Sequence, residues 1–397
     1  MSVSTAVVLA AGEGTRLRPL TRNRPKPMLP AADRPILEHV FDALVDAGMD
    51  QLVCVVGYKH DRVQDHFGPS YRDVPVQYVR QHKQLGSGHA LLQARAAVDG
   101  PPLVVNGDRL IEASMVEAVA EGFSRNDPAA ALAVMEHPDA NQYGAVVLRN
   151  DELTEIVEKP TTDDYRLINA GIYAFDATIF DEIADTPRSA GELGLTDTIA
   201  RLAENDRVHG VRCEGMWVDA TYPWDLLTVA REVLARGRVD VAERSEGVWV
   251  HDDARVHEDA TLRAPVVVGA DSEIAPGAVV GPDAALGYNV TVGANATVER
   301  TVLDADARVD AGSVLVDTVT GQDVDLGAGS IVPGGRADVR VGNEVFEDQR
   351  LGAVLADRVT AEGDVSVAPG TLVGPSAHIH TGAHVQGRVP DGAEVVR

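Results

Sequence analysis

Residues 268–297 read VGADSE, IAPGAV, VGPDAA, LGYNVT, VGANAT, five consecutive six-residue units that each begin with an aliphatic side chain followed by Gly or Ala. Extended both ways, the series of leading residues is Val250, Val256, Leu262, Val268, Ile274, Val280, Leu286, Val292 and Val298. If roughly 30% of positions were aliphatic by chance, such a run in a given phase would have a probability of about 2 in 100,000. The series slips by one residue at Leu303, Val309 and Leu315, resumes at Leu326 and Val332, and resumes again at Val367, Val373, Ile379 and Val385. No helix has a period of six, and strand alternation alone would not place a turn at every sixth position. The pattern predicts a solenoid in which three short strands make one triangular coil of about 18 residues. Coils then stack at the strand spacing of roughly 4.8 Å. The aliphatic residue points into the prism, and the small residue after it fits the tight corner.

Upstream the texture is different. Ala6–Leu9, Gln51–Val56 and Leu103–Val105 read as short buried strands, whereas Leu37–Ala47 and Leu226–Arg238 carry apolar residues at helical spacing. Strands alternating with helices predict an α/β fold, a sheet wrapped by helices whose ligands sit beyond the carboxyl ends of the strands. The expected division is an α/β domain over residues 1–238, a polar linker over 239–249 and the solenoid over 250–390.

Composition narrows the function. The net charge of −26 opposes binding to nucleic acid or to an anionic membrane. Only four of the 35 basic residues are lysines, Lys26, Lys59, Lys83 and Lys159. Acid excess with Lys nearly absent is the expectation for a protein working in high salt, which screens the self-repulsion. Where surface Lys has been given up, the survivors are candidates for chemistry. The two cysteines, Cys54 and Cys213, have no metal-ligand spacing and read as buried thiols. No apolar run reaches about 18 residues and no basic leader precedes the first strand, so a cytoplasmic location is expected.

The chemistry is carried by Leu9–Pro27, LAAGEGTRLRPLTRNRPKP. Its glycines, Gly12 and Gly14, follow a strand and let backbone N–H groups approach a triphosphate. No Gly-Lys-Ser/Thr follows, so this is no Walker loop, and the third glycine of a dinucleotide fingerprint is missing. What makes it specific is the pair of cations that follow, Arg16 and Lys26. Two fixed cations beside a phosphate loop suit a reaction that builds negative charge on phosphorus.

The run resembles the signature of the sugar-1-phosphate nucleotidylyltransferase family, GxGTR followed downstream by PK, of the glucose-1-phosphate uridylyl/thymidylyltransferase type and of haloarchaeal character. The hexads likewise resemble the hexapeptide-repeat family. The first resemblance implies a Rossmann-like mixed sheet, and the second a left-handed parallel β-helix. It further implies that Leu9, Ala10, Ala11, Gly12, Gly14 and Thr15 bind a nucleotide together with Gln81, Gly86 and Ser87 of QHKQLGSGHA, Gln81 meeting the pyrimidine edge. Gly144, Glu158, Lys159, Asn169 and Gly171 take the sugar-phosphate side, Lys159 meeting the phosphate. Asp108 of Asn106-Gly107-Asp108 and Asp219 of Trp217-Val218-Asp219 match the family's two acidic positions, where two carboxylates would hold Mg²⁺. Gly191-Glu192 and the following Leu195-Thr196-Asp197 fit a structural cap.

The implied reaction joins UTP or dTTP to glucose 1-phosphate or N-acetylglucosamine 1-phosphate and releases pyrophosphate, with Arg16 and Lys26 catalytic. The expected partners are those two substrates and further copies of the chain, as a homo-oligomer of three or four. Two other readings compete. In bifunctional relatives the β-helix acetylates glucosamine 1-phosphate with a His followed by a Tyr; here Val309–Leu315 has neither, and Pro333-Gly334-Gly335-Arg336 stands where their Asn-Tyr-Asp-Gly-like segment falls. A base is needed to deprotonate the amine, and His378, His380 and His384 lie only in the last coils. A regulatory homologue without turnover should have lost charged motif residues, yet Arg16, Lys26, Asp108, Lys159 and Asp219 are all present.

Overall fold

The computed structural model describes residues 3–126, 128–162, 164–204 and 208–396. They form two compact units, one of residues 1–13 with 37–217 and one of residues 14–36 with 218–397.

The first unit is built on one ten-stranded sheet. Val74–Arg80, Gln51–Val56, Thr5–Ala10 and Pro102–Asn106 lie side by side and parallel, in that order. The three runs Gln51–Val56, Thr5–Ala10 and Pro102–Asn106 are mostly Val, Leu, Ala and Cys and are buried on both faces, as a parallel sheet between helices requires, whereas Val74–Arg80 is only partly buried. Leu167–Phe175 then pairs antiparallel with Pro102–Asn106, which makes the sheet mixed. On its far side lie Ala130–Glu136, Val208–Arg212, Glu152–Glu158 and Gly144–Arg149. The predicted strands and the Leu37–Ala47 helix are present within a residue or so at each end, the helix as Ile36–Asp46. Among the described residues no helix is long and apolar enough to cross a membrane.

The second unit is the left-handed parallel β-helix, with three sheets of nine, eight and seven short strands. Partners in adjacent coils are 18 residues apart in the early turns, as in Val248↔Val266↔Ala284 and Glu273↔Thr291. The repeated aliphatics Val268, Ile274, Val280, Leu286, Val292 and Val298 line one continuous core. Two departures in the sequence have structural causes. The slip after Val298 is a coil one residue shorter, since Ala285 pairs with Val302 and Thr291 with Arg308. The gap after Val332 is an antiparallel hairpin, Arg336–Val341 with Glu344–Arg350, inserted at a corner. The next coil resumes beyond it at Ala353–Leu355.

Two segments that precede the solenoid in sequence pack in this unit. Helix Asp225–Ala235 contacts the strands Ala284–Leu286, Val302–Leu303 and Thr318–Thr320, burying Leu226, Val229, Val233 and Leu234. Residues 14–36, with Leu17, Leu20 and Leu29 fully buried, supply three 3₁₀ turns and the small hairpin Pro30–Ala31 with Arg34–Pro35.

Candidate functional site

In the first unit, strands 5–10, 74–80 and 102–106 deliver the predicted residues from their carboxyl ends. Leu9 and Ala10 end the first strand, and Ala11 follows it, buried. Gly57 must lack a side chain, because a Cβ there would stand 2.6 Å from the Ala11 carbonyl oxygen. The Gln84 side chain donates to that same carbonyl (2.9 Å). The Gly107 N–H donates to Leu9 O (3.0 Å), which fixes the turn carrying Asp108.

Gln81 is buried at the end of its strand. Its Nε2 donates to Gly86 O (3.2 Å) and lies 2.9 Å from His89 Nδ1. Gly86 has φ +99, and a Cβ on it would meet the Leu193 carbonyl oxygen at 2.4 Å. Leu193 N–H donates to Leu85 O (2.7 Å), and Ser87 Oγ accepts from Leu195 N–H (3.0 Å). Segment 191–195 is thus a brace for residues 85–88, in line with its expected structural role. Burial lowers the pKa of His89 and favours its neutral imidazole, able to accept from Gln81.

Gly144, Glu158, Asn169 and Gly171 also come together. Gly144 is the strand partner of Glu158, and a Cβ on Gly144 would lie 3.2 Å from Glu158 Oε2 and 3.6 Å from Asn169 Cβ. Asn169 donates to Tyr173 Oη (2.8 Å) and accepts from Gly171 N–H (3.1 Å) across a bulge in the strand. Gly171 has φ +80 and leaves room for Asn106 Nδ2, 2.6 Å from where its Cβ would be. Lys159 N–H donates to Tyr143 O (3.0 Å), at a left-handed φ of 46° that turns the chain after Glu158.

Sequence reasoning missed the wall beside this cradle. Tyr143, Trp217 and His137 form an edge-to-face cluster with centroids 4.9–6.0 Å apart. Trp217 Nε1 donates to Ala170 O (2.8 Å), and the Arg109 guanidinium lies over its ring at 5.1 Å. In a chain with only 4% aromatics, three such residues near motif positions were the available signal.

In the second unit, Gly14 takes φ +63, and a Cβ there would strike Lys26 Cβ at 2.8 Å. Thr21 Oγ1 donates to Gly14 O (2.7 Å), closing the loop around this contact. Thr15 and Arg16, on the first 3₁₀ turn, are exposed. Lys26 Nζ sits 3.1 Å from Asp219 Oδ1, with both side chains largely buried. Asp219 Oδ2 accepts from Thr221 Oγ1 (2.9 Å). Asp225 Oδ2 accepts from Thr221 and Tyr222 N–H at 2.8 and 2.7 Å. Burial nevertheless pushes the Asp225 carboxyl up to about 6.

Arg24 is the second residue the sequence did not reveal. It is 3% exposed and pairs with Asp304 and with Asp357, the latter at 3.3 Å, so the signature loop is tied to two coils of the solenoid. The histidines of the last coils point elsewhere. His378 and His380 both face Glu362, at 2.8 and 3.2 Å, on the outer surface, and His384 Nδ1 lies 3.3 Å from Ser366 Oγ.

Both parts of the chain have relatives among known proteins. Residues 5–236 match the family model described as nucleotidyl transferase, and residues 262–389 match one described as GMPPB C-terminal domain. The chain is 37% identical over 391 residues to the protein named Bifunctional protein GlmU of Methanococcus maripaludis strain C7, covering 94% of this chain and 92% of that protein. It is 39% identical over 227 residues to UTP--glucose-1-phosphate uridylyltransferase AglF of Haloferax volcanii, covering 55% of this chain and 92% of that protein. The solved UDP-glucose pyrophosphorylase from Acinetobacter baumanii resembles it with a TM-score of 0.53 at 27% identity, over 59% of this chain and 94% of that one.

Proposed function

This chain belongs to the sugar-1-phosphate nucleotidylyltransferase family, and from that premise we propose that its nucleotide is UTP or dTTP and its acceptor glucose 1-phosphate or N-acetylglucosamine 1-phosphate. The reaction is transfer of a nucleotidyl group from a nucleoside triphosphate to a sugar 1-phosphate, forming an NDP-sugar. An oxygen of the sugar phosphate attacks the α-phosphorus in line, and pyrophosphate leaves with the electron pair of the broken P–O bond. No covalent enzyme intermediate is required.

The observation that supports the acceptor most is the cradle of Gly144, Glu158, Asn169 and Gly171, where Glu158 and Asn169 lie against Gly144 and Gly171 lets Asn106 approach the backbone. Glu158 and Asn169 would bind sugar hydroxyls, and Lys159 would orient the attacking phosphate. Gln81, with Gly86 and Ser87, would read the pyrimidine, and Leu9 to Thr15 would carry the triphosphate on backbone N–H groups. Arg16 and Lys26 would offset the charge that builds during transfer. The uridylyltransferase among the relatives favours UTP.

Magnesium is the cofactor the family implies, and Asp108 and Asp219 would hold it. The donor chemistry fits, since both supply hard carboxylate oxygens. Asp219 also takes Lys26 Nζ at 3.1 Å and Thr221 Oγ1 at 2.9 Å, so a bound cation would share that carboxylate with them. When bound, the cation offsets negative charge on the phosphates. Asp108→Asn is expected to abolish magnesium-dependent pyrophosphate release with the fold intact by circular dichroism; near-normal release would refute the metal assignment.

A second reading, acetyl transfer by the solenoid, is favoured by the word bifunctional in the name of a full-length relative. The side chains oppose it. Val309–Leu315 offers neither the His nor the Tyr, and His378 and His380 are engaged with Glu362. Thiol release from acetyl-CoA in the presence of glucosamine 1-phosphate decides between them, and none is expected.

A further inference from the structure

One cavity of the second unit is lined by Thr15 and Arg16, which have roles above, and by many residues that have none. It has a volume of about 440 Å³, and its walls carry five arginines, Arg16, Arg18, Arg22, Arg340 and Arg388. Only two carboxylates line it, Glu344 and Asp391, and Asp391 lies 3.1 Å from Arg22 Nε. In a chain of net charge −26 this is a local inversion of sign. The arginines come from three separate places: the 3₁₀ turns of the signature loop, the hairpin strand Arg336–Val341 and the strand Arg388–Val389 of the last coils. That hairpin is the insertion that breaks the six-residue repeat, so coil stacking does not require it.

Guanidinium groups gathered in one cavity repel one another, and the repulsion is relieved by an anion that they can grip in bidentate fashion. A single phosphate would reach few of them, whereas an anion with two or more linked phosphates could span donors from the loop, the hairpin and the last coil. The volume lies in the range of pockets that hold such molecules. One side of the cavity is apolar: Tyr222 and Phe346 line it with ring centroids 4.4 Å apart. A flat base could rest on that surface.

We infer that this cavity binds a polyphosphate anion, either pyrophosphate or the phosphate tail of a nucleotide, and that its occupant inhibits transfer by engaging Arg16. The inhibitory half rests on the role proposed for Arg16 in nucleotidyl transfer; the binding half does not. Arg340 and Arg388 have no part in that chemistry, so they separate the two.

The test is calorimetric titration with inorganic pyrophosphate and, in a second arm, with UDP, using the full chain at fixed KCl. The double variant Arg340→Ser/Arg388→Ser is expected to bind one equivalent fewer than the parent protein. Charge reversal by Arg340→Glu, at an exposed hairpin position, is expected to give the same loss without altering a coil. In turnover assays the double variant should keep kcat and KM within twofold, while the inhibition component not competitive with the nucleoside triphosphate falls at least tenfold. A lost equivalent in the pyrophosphate arm identifies the phosphates as sufficient; a loss confined to the UDP arm adds the aromatic wall. Equal stoichiometry in parent and variants with both probes would overturn the site. A lost equivalent with unchanged inhibition would overturn the coupling to Arg16. Absence of turnover with every substrate would count against the transfer reading and leave the binding result standing.

Discussion

Replacing Arg24 by Met removes the cation that two solenoid carboxylates share. In the folded chain the Arg24 side chain is 4% exposed, and those of Asp304 and Asp357 are 12% and 4%. Breaking a buried ion pair from one side leaves uncompensated charge and costs about 3–5 kcal/mol. Here two carboxylates are stranded, so the upper part of that range is expected. For a cooperative unit of roughly 200 residues, each kcal/mol lowers Tm by about 2–4 °C, so about 4–5 kcal/mol gives a fall of about 8–20 °C. The assay is differential scanning calorimetry at a single KCl concentration, since salt screens the stranded charges. Combining Arg24→Met with Asp304→Asn and Asp357→Asn should recover much of the loss, because removing a whole buried ionic group costs far less than removing one member. Arg24 is two residues from Lys26, so transfer by Arg24→Met should lose kcat more than affinity for the sugar. A Tm change below about 2 °C for the single variant, or a combined variant less stable than the single one, would refute the idea that this contact fixes the loop.

Two further outcomes follow from burial. Desolvation pushes the Cys54 thiol up to about 12 and the Cys213 thiol up to about 11; neither should react with an aromatic disulfide reagent at pH 8 in the native protein, and both should react after unfolding. Fast modification of the folded chain would contradict their burial. The Asp225 carboxyl, raised to about 6, favours folding in its protonated form, so its contribution is fully present below about pH 4 and is lost as pH rises through 6. Asp225→Asn, which keeps an acceptor for Thr221 and Tyr222 N–H, should therefore be more stable than the parent by ~2 kcal/mol at pH 8 and equal to it near pH 4, measured by denaturant unfolding at each pH; a parent more stable at pH 8 would reverse the sign of this reasoning.

The elements readable from the sequence were those fixed by local pattern. The six-residue period announced the solenoid because every coil repeats one inward aliphatic and one corner. The same rule could not foresee the hairpin 336–350, which carries no period. Gly14 and Lys26 were legible as neighbours in a short loop, and their contact is close packing between the two. Arg24 lies in that same run but was passed over, because its partner Asp357 is 333 residues away. The aromatic cluster of His137, Tyr143 and Trp217 is hidden for the same reason, since Trp217 lies far along the chain from the connection that carries the other two. The helical spacing of 226–238 is local and visible in the sequence, but only tertiary packing shows that the apolar face of helix 225–235 covers solenoid strands. Residues whose role is a long-range charge pair or a shared wall leave no local trace.

The direct measurement of nucleotidyl transfer is pyrophosphate release across a panel of UTP, dTTP, GTP, CTP and ATP, each paired with several sugar 1-phosphates, in molar KCl with Mg²⁺. Release is expected with UTP or dTTP and glucose 1-phosphate or N-acetylglucosamine 1-phosphate, matched by formation of the NDP-sugar and lost in Lys26→Ala. No release with any pair would contradict the transfer reaction.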